Sequence, residues 1–281
     1  MTERTDAWRA AGETVEFRGR RIHVHRRAGD GPPLVFLHGF PSSSYDWREL
    51  LDLLPGRAAL AFDFLGFGFS DKPPDHLYTL AWQADLVEHI APREPLYLVA
   101  HDMGTSVATE LMARELAGQL ELDVRGALLF NGSMLLDRAS PTVGQKLLRS
   151  RFGALFARLT TETTFRRQFA RVFSPAHPLT AAEAADQWSL IAHAGGHRIA
   201  HRLIHYMDER ERFADRWHGA FRDWPKPLRL AWGLRDPVAT TSVLAGLREL
   251  RDVPVAELPE LGHYPQIEQP AAIARVVEAL A

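Results

Sequence analysis

Leu96-Tyr97-Leu98-Val99-Ala100-His101-Asp102-Met103-Gly104 decides the fold of this chain. Five apolar residues suited to a buried parallel strand run into a tight turn that carries a carboxylate. A helical pattern, Thr105 to Ala117, follows at once. Strand, sharp turn and helix in that order make a nucleophile elbow, which lifts one side chain clear at the top of a sheet. Here that side chain is Asp102. An attacking carboxylate turns the enzyme itself into an alkyl ester, a chemistry suited to strained or activated C–O and C–halogen bonds. Ala100 and Gly104 are small, as a turn that brings backbone and side chain close together requires.

Outward from the elbow, buried strands and helices alternate. Val15–Phe17 and Ile22–Arg26 read as an amphipathic hairpin turning at Gly19. Pro33–His38 and Arg57–Phe64 read as strands, with a helix around Trp47–Leu54 between them. Leu80–Ile90 places Leu80, Ala84, Val87 and Ile90 on one helical face, and Gly126–Phe130 is another apolar strand. This rhythm predicts an α/β fold with a mostly parallel, doubly wound sheet, and functional groups at the carboxyl ends of its strands. From Met134 to Trp224 no strand pattern appears, only helical stretches broken by Pro141, Pro175, Pro178 and Gly195-Gly196. The strand rhythm resumes at Leu228–Trp232 and Val255–Leu258, with a helix over Val243–Leu250 between them and another from Pro270. The expected organisation is therefore a first core part over residues 1–133, an inserted all-helical cap over 134–224, and a second core part over 225–281.

Two later strand ends complete a catalytic set. Leu228–Trp232 leads into Gly233-Leu234-Arg235-Asp236-Pro237, and Val255–Leu258 leads into Gly262-His263-Tyr264-Pro265. Asp236 is read as the acid that orients His263, and His263 as the base that activates water. Asn131, at the end of the preceding strand, is no anionic partner. His38-Gly39-Phe40-Pro41 closes the first long strand in a tight turn, where a cis Phe40–Pro41 bond is expected. The backbone N–H groups of Phe40 and Met103 are candidates for an oxyanion hole. Nucleophile and base are both side chains, so the set calls for no metal and no organic cofactor.

These motifs, together with Asp63-Phe64-Leu65-Gly66-Phe67-Gly68-Phe69-Ser70-Asp71-Lys72-Pro73, resemble the α/β-hydrolase superfamily, in its epoxide hydrolase and haloalkane dehalogenase branch. FLGFGFSDKP, Asn131-Gly132 and Ile204-His205-Tyr206 resemble mesoderm-specific transcript-type hydrolases in particular. The resemblance covers nearly the whole chain outside the cap and implies the α/β-hydrolase fold and an Asp-His-Asp set. It implies dehalogenation less well. That group usually holds halide with a Trp after the nucleophile and an Asn in the turn, where this chain has Met103 and Phe40. Fluoroacetate dehalogenases place Arg just after the nucleophile, and here Met103, Gly104, Thr105 and Ser106 follow. Epoxide hydrolases usually protonate the opening ring with two cap tyrosines; this cap has one, Tyr206, the candidate proton donor. The expected reaction is epoxide hydrolysis to a diol. The alternatives are a dehalogenase with a non-standard halide site, an ester or lactone hydrolase, and, remotely, a non-catalytic binding protein on a hydrolase fold.

Composition sets the outer bounds. Hydrophobic residues at 46% fit a packed globular protein, and a net charge of −2 offers no general field for nucleic acid. Basic charge is almost all Arg, which reads as a compositional habit. With no cysteine, disulfides and thiol nucleophiles are excluded. Met1 to Ala11 lacks the apolar core of a signal peptide, and no apolar run spans a bilayer, so a cytoplasmic protein is expected. The expected partners are water and a small apolar electrophile. His193, His197, His201 and His205 recur every four residues but lack a zinc-protease pattern and straddle Gly195-Gly196, so a solvated or cap-facing stripe is expected rather than a metal site. His38 and His101 are expected to orient loops, and Asp63 to tie a turn.

Overall fold

Eight strands form one sheet: β1 (Glu13–Phe17), β2 (Arg20–Arg27), β3 (Asp30–Leu37), β4 (Arg57–Phe62), β5 (Leu96–His101), β6 (Val124–Phe130), β7 (Leu228–Gly233) and β8 (Val255–Leu258). The computed structural model describes residues 1–280. The order across the sheet is β1-β2-β4-β3-β5-β6-β7-β8. β1 and β2 are antiparallel to their neighbours, and every other pairing is parallel. The β1–β2 hairpin turns through Arg18 at φ 50° and Gly19 at φ 71°. Two successive residues with positive φ match the twist that a two-residue hairpin needs.

β3 is followed by β4 on one side, and the chain then returns to place β5 on the other. In open α/β sheets such a reversal opens a crevice beyond the carboxyl ends of the two strands. His38–Pro41 follows β3 and Asp102 follows β5, so the topology alone brings these two turns together. Side chains along the central strands alternate between two cores, as the period of 2 dictates. Val35, Leu37, Leu98, Ala100, Ala127 and Leu129 face one core. Leu34, Phe36, Val99, Leu128 and Phe130 face the other, against Trp47, Leu50, Ile273 and Val277. With both faces covered, these strands are near-continuous apolar runs rather than alternating ones.

The helix Met103–Leu116 starts at the elbow and is buried through Ala113. It meets the sheet so closely that a Cβ on Gly104 would lie 2.2 Å from the carbonyl oxygen of Leu37. Only glycine permits that approach. Between β6 and β7 every element is helical, from Leu136–Arg138 to Ala214–Asp223. This insertion packs onto the sheet ends through Phe165, Phe169, Val172 and Phe173, which cluster with Val238 and Tyr264.

An N-terminal helix, Glu3–Ala11, is an element that sequence periodicity did not predict. Its apolar residues are too few to mark a buried face. Its stability comes from a capping box between Thr2 and Thr5 and from docking on the insertion. Thr2 Oγ1 donates to Asp186 at 2.6 Å, and Arg4 pairs with the same carboxylate at 2.6 Å. Among the described residues, no helix is long and apolar enough to cross a membrane.

Candidate active site

Asp102 sits at φ 44° and ψ −110°, a backbone conformation that side chains other than glycine rarely adopt. It precedes the helix Met103–Leu116 in the capping position, yet its side chain makes no capping hydrogen bond. Its Oδ2 instead accepts the backbone N–H of Phe40 at 3.0 Å. Gly39 makes this possible, because a Cβ there would lie 2.8 Å from Asp102 Cβ. The Phe40–Pro41 bond is cis, as the tight turn suggested. Met103 opens the helix, where the first N–H groups have no intrahelical acceptor.

Asp236 and His263 meet across the ends of β7 and β8. His263 Nδ1 donates to Asp236 Oδ2 at 2.7 Å. Asp236 Oδ1 accepts the N–H groups of Val238 and Ala239 at 2.7 and 3.1 Å, which fixes the carboxylate plane. Burial works against an imidazolium at His263, but the charge and hydrogen bond of Asp236, with the charge of Asp102, outweigh it and raise its pKa.

Asn131 supplies something that chain order could not reveal. At φ 47° it aims its side chain across β7. Nδ2 donates to Asp236 Oδ2 at 2.8 Å, and Oδ1 accepts Gly233 N–H at 3.0 Å. Asn131 thus braces the same carboxylate oxygen that holds His263.

His101 and His38 serve the loops. His101 Nε2 donates to the carbonyl of His263 at 2.7 Å, and its Nδ1 accepts from Gln266 Nε2 at 3.1 Å. Burial pushes its pKa down to about 3, so it is neutral. His38 Nδ1 donates to Gly39 O at 2.8 Å, while Nε2 accepts Phe64 N–H at 3.0 Å. Asp63 accepts from Ser44 and Phe69 and ties the loop after β3 to the turn after β4.

Arg210 is the site residue that sequence reasoning missed. It comes from the helix Tyr206–Arg212 of the insertion and is 2% exposed. Nη2 donates to the Asp102 carbonyl at 2.9 Å and lies 3.6 Å from Asp102 Oδ1; Nε donates to Ser106 Oγ at 2.8 Å. Burial alone would push the Asp102 carboxyl up. Arg210, followed by His263, His101 and the Phe40 N–H, reverses this and holds it below the usual carboxylate range. One arginine in an arginine-rich chain carries no local signal of this role; only the docking of the insertion creates it.

Tyr206 is buried, its ring 5.8 Å from that of Phe40, with the Arg210 guanidinium 4.7 Å from its centre. Burial, then the charge of Asp102, pushes its phenol pKa far up, so it stays protonated. It lines a small void with Met103, Phe67 and Leu203. A cavity between the core and the insertion, about 790 Å³ counting the space open to solvent, is separate. Phe40 and His263 line it from the core, and Leu148, Phe156, Phe169 and Trp188 from the insertion. Most tryptophans pack in the cores, Trp47, Trp224 and Trp232 almost completely buried; Trp188 is the one that borders this cavity. The histidine stripe is interrupted at Ala194 and Gly195, which have positive φ. His205 is exposed and bonded to Asp208. No cluster of metal-ligating side chains occurs among the described residues.

A strand–turn–helix elbow beneath a helical insertion, with an acid and a histidine at later strand ends, defines a hydrolase of the α/β type. The model of the alpha/beta hydrolase family matches residues 34–276, and the chain belongs to that family. It is 53% identical over 277 residues to the putative hydrolase LipZ of Mycobacterium tuberculosis, covering 97% of this chain and 96% of LipZ. It is 33% identical to the mesoderm-specific transcript protein of Mus musculus, covering 94% of this chain and 84% of that protein. Among solved structures, the haloalkane dehalogenase DatA of Agrobacterium tumefaciens superimposes with a TM-score of 0.78 at 24% identity, covering 95% of this chain and 94% of DatA. That likeness is one of fold.

Proposed function

We propose that this hydrolase opens epoxides to diols through a covalent ester on Asp102. The observation that carries the reading is the Asp102 carboxylate: released from helix capping, bound at Oδ2 by the Phe40 N–H, and kept ionised beside Arg210. Oδ1 attacks an epoxide carbon, the C–O bond breaks, and the oxygen takes the Tyr206 proton as its electron pair arrives. The phenolate left behind is stabilised by the nearby guanidinium. His263 then removes a proton from water, which adds to the Asp102 carboxyl carbon, and the resulting oxyanion rests on the Phe40 and Met103 amides. Collapse expels the diol oxygen, which takes the proton from His263, while the new carboxylic acid returns one to Tyr206. General-base catalysis of this kind contributes ~10²–10⁴-fold, and an oxyanion donor ~10²–10³-fold.

Oxygen is favoured over halide as the leaving atom because Phe40 and Met103 present no side-chain donor for a halide, whereas the cap presents the phenol of Tyr206, whose proton an opening epoxide needs. Asp102 is 2% exposed, so substrate binding displaces side chains between it and the cavity. The residues 134–224 act in this reading as the cap that closes over substrate, between core parts 1–133 and 225–281.

The test is a trapped intermediate. His263→Gln retains alkylation and loses water activation, so incubation with styrene oxide should leave an adduct on the peptide holding Asp102, visible in intact mass and absent from Asp102→Ala. A parallel turnover screen of epoxides, bromoalkanes and p-nitrophenyl esters sets the reaction class. Bromide release well above the best epoxide rate would overturn the epoxide reading.

A further inference from the structure

Nine large hydrophobic side chains are substantially exposed among the described residues, and five of them fall within seventeen positions: Val143, Leu147, Phe152, Leu155 and Leu159. They belong to two short helices, Val143–Arg149 and Gly153–Leu159, and the residue just before the second. Scattered exposed apolar residues need no explanation, but this concentration does. The same two helices wall the cavity beside His263 with their other face, through Gln145, Leu148 and Phe156. One side of this segment therefore looks into the cavity, and the other offers apolar side chains to the surroundings.

The charge around the patch selects its occupant. Residues 141–171 contain seven basic side chains and a single acidic one, Glu162, in a chain whose overall charge is −2. Lys146, Arg151, Arg158, Arg167 and Arg171 are exposed and form no ion pair among the described residues. Arg151 lies over the Phe152 ring, 4.7 Å from its centre. Exposed apolar side chains interspersed along one segment with unpaired cations match the interface of an anionic bilayer, where the first bury in acyl chains and the second meet headgroups.

We propose that the segment 142–160 docks this protein on anionic lipid surfaces and sets the cavity against the membrane, so that apolar substrates pass from the bilayer without crossing water. No membrane span is needed. The proposal goes beyond the reaction itself, and its test reads binding rather than turnover.

The experiment is flotation of the full-length protein with vesicles of phosphatidylcholine containing phosphatidylglycerol, against vesicles of phosphatidylcholine alone. Wild type is expected to float with the anionic vesicles, to float far less with the neutral ones, and to be released by high salt. Each basic residue near such a surface strengthens binding about fivefold. Arg151→Glu with Arg158→Glu is therefore expected to weaken partitioning by at least about 20-fold. Phe152→Ser with Leu155→Ser is expected to abolish flotation while changing the thermal unfolding midpoint little, because both side chains are more than half exposed. Wild type that fails to float, or either double variant floating like wild type, overturns the proposal. So does sedimentation showing a wild-type dimer that Phe152→Ser with Leu155→Ser dissociates, since the face would then belong to a second copy.

Discussion

Arg210→Met tests whether the helical insertion and the elbow are coupled through charge. Nη2 of Arg210 and Oδ1 of Asp102 are 3.6 Å apart, and both side chains are at most 2% exposed. At an effective dielectric of about 20, two unit charges at that distance attract by about 5 kcal/mol. Desolvation of both groups offsets much of this, so the pair adds little net stability. Removing one partner is different, because the other stays buried and uncompensated, at a cost of about 3–5 kcal/mol. The lower end is expected here, since the Asp102 carboxylate keeps the Phe40 N–H at 3.0 Å.

Urea unfolding of wild type, Arg210→Met, Asp102→Asn and the double variant closes a thermodynamic cycle without any substrate. A coupling of about 2 kcal/mol or more is expected, with the double variant more stable than the single losses would sum to. Titration supplies a second signature. Because the folded pKa of Asp102 is depressed, its ionisation stabilises the protein above the unfolded carboxylate range, near 3.9. That contribution is lost as pH falls through the lower folded value. The gap between wild type and Arg210→Met should therefore narrow below about pH 4. A coupling under about 0.5 kcal/mol, or a gap that does not change with pH, refutes the charge argument and leaves Arg210 a packing residue.

Three further outcomes follow from the same geometry. Asp236→Asn removes the charge that raises the His263 pKa, so the acid limb of ester hydrolysis should move to lower pH while the plateau falls; an unmoved limb assigns the base elsewhere. Asn131→Ala deletes a hydrogen bond to a charged group, worth about 1.5–3 kcal/mol, and should slow hydrolysis of the ester more than its formation in single-turnover kinetics. Tyr206→Phe should reduce epoxide opening at least about tenfold, or ~1.4 kcal/mol in the barrier, with unchanged unfolding in urea; full epoxide turnover would remove Tyr206 from the mechanism.

What the sequence by itself determined is the part written in local pattern. Apolar runs such as Leu96–Ala100 and Gly126–Phe130 announce strands buried on both faces, and each strand end reads as a turn through Gly39, Asp102 or Gly262. Chain order then placed Asp102, Asp236 and His263 at the same edge of one sheet, because parallel strands put all their carboxyl ends on one side. The structure brings Phe40 N–H to Asp102 and Asp236 to His263, contacts that follow from that edge once the sheet is assembled.

Tertiary structure alone decided what reaches the site from elsewhere. Arg210 arrives by the docking of a helix more than a hundred residues along the chain, and a charged residue on an amphipathic helix looks the same in sequence whether it faces water or a carboxylate. Asn131 looked merely unsuitable as an acid; its role as a donor to Asp236 depends on a positive φ that sequence does not display. The N-terminal helix likewise carries too little periodicity to be seen, and it exists because Asp186 accepts its cap and its arginine. The richness in arginine reads as habit along the chain, and only the folded structure singles out Arg210 as a buried cation beside Asp102 while many of the others form ion pairs with surface carboxylates. Periodicity records which face of an element is buried, but not which partner buries it, and partner choice is what the folded chain supplies.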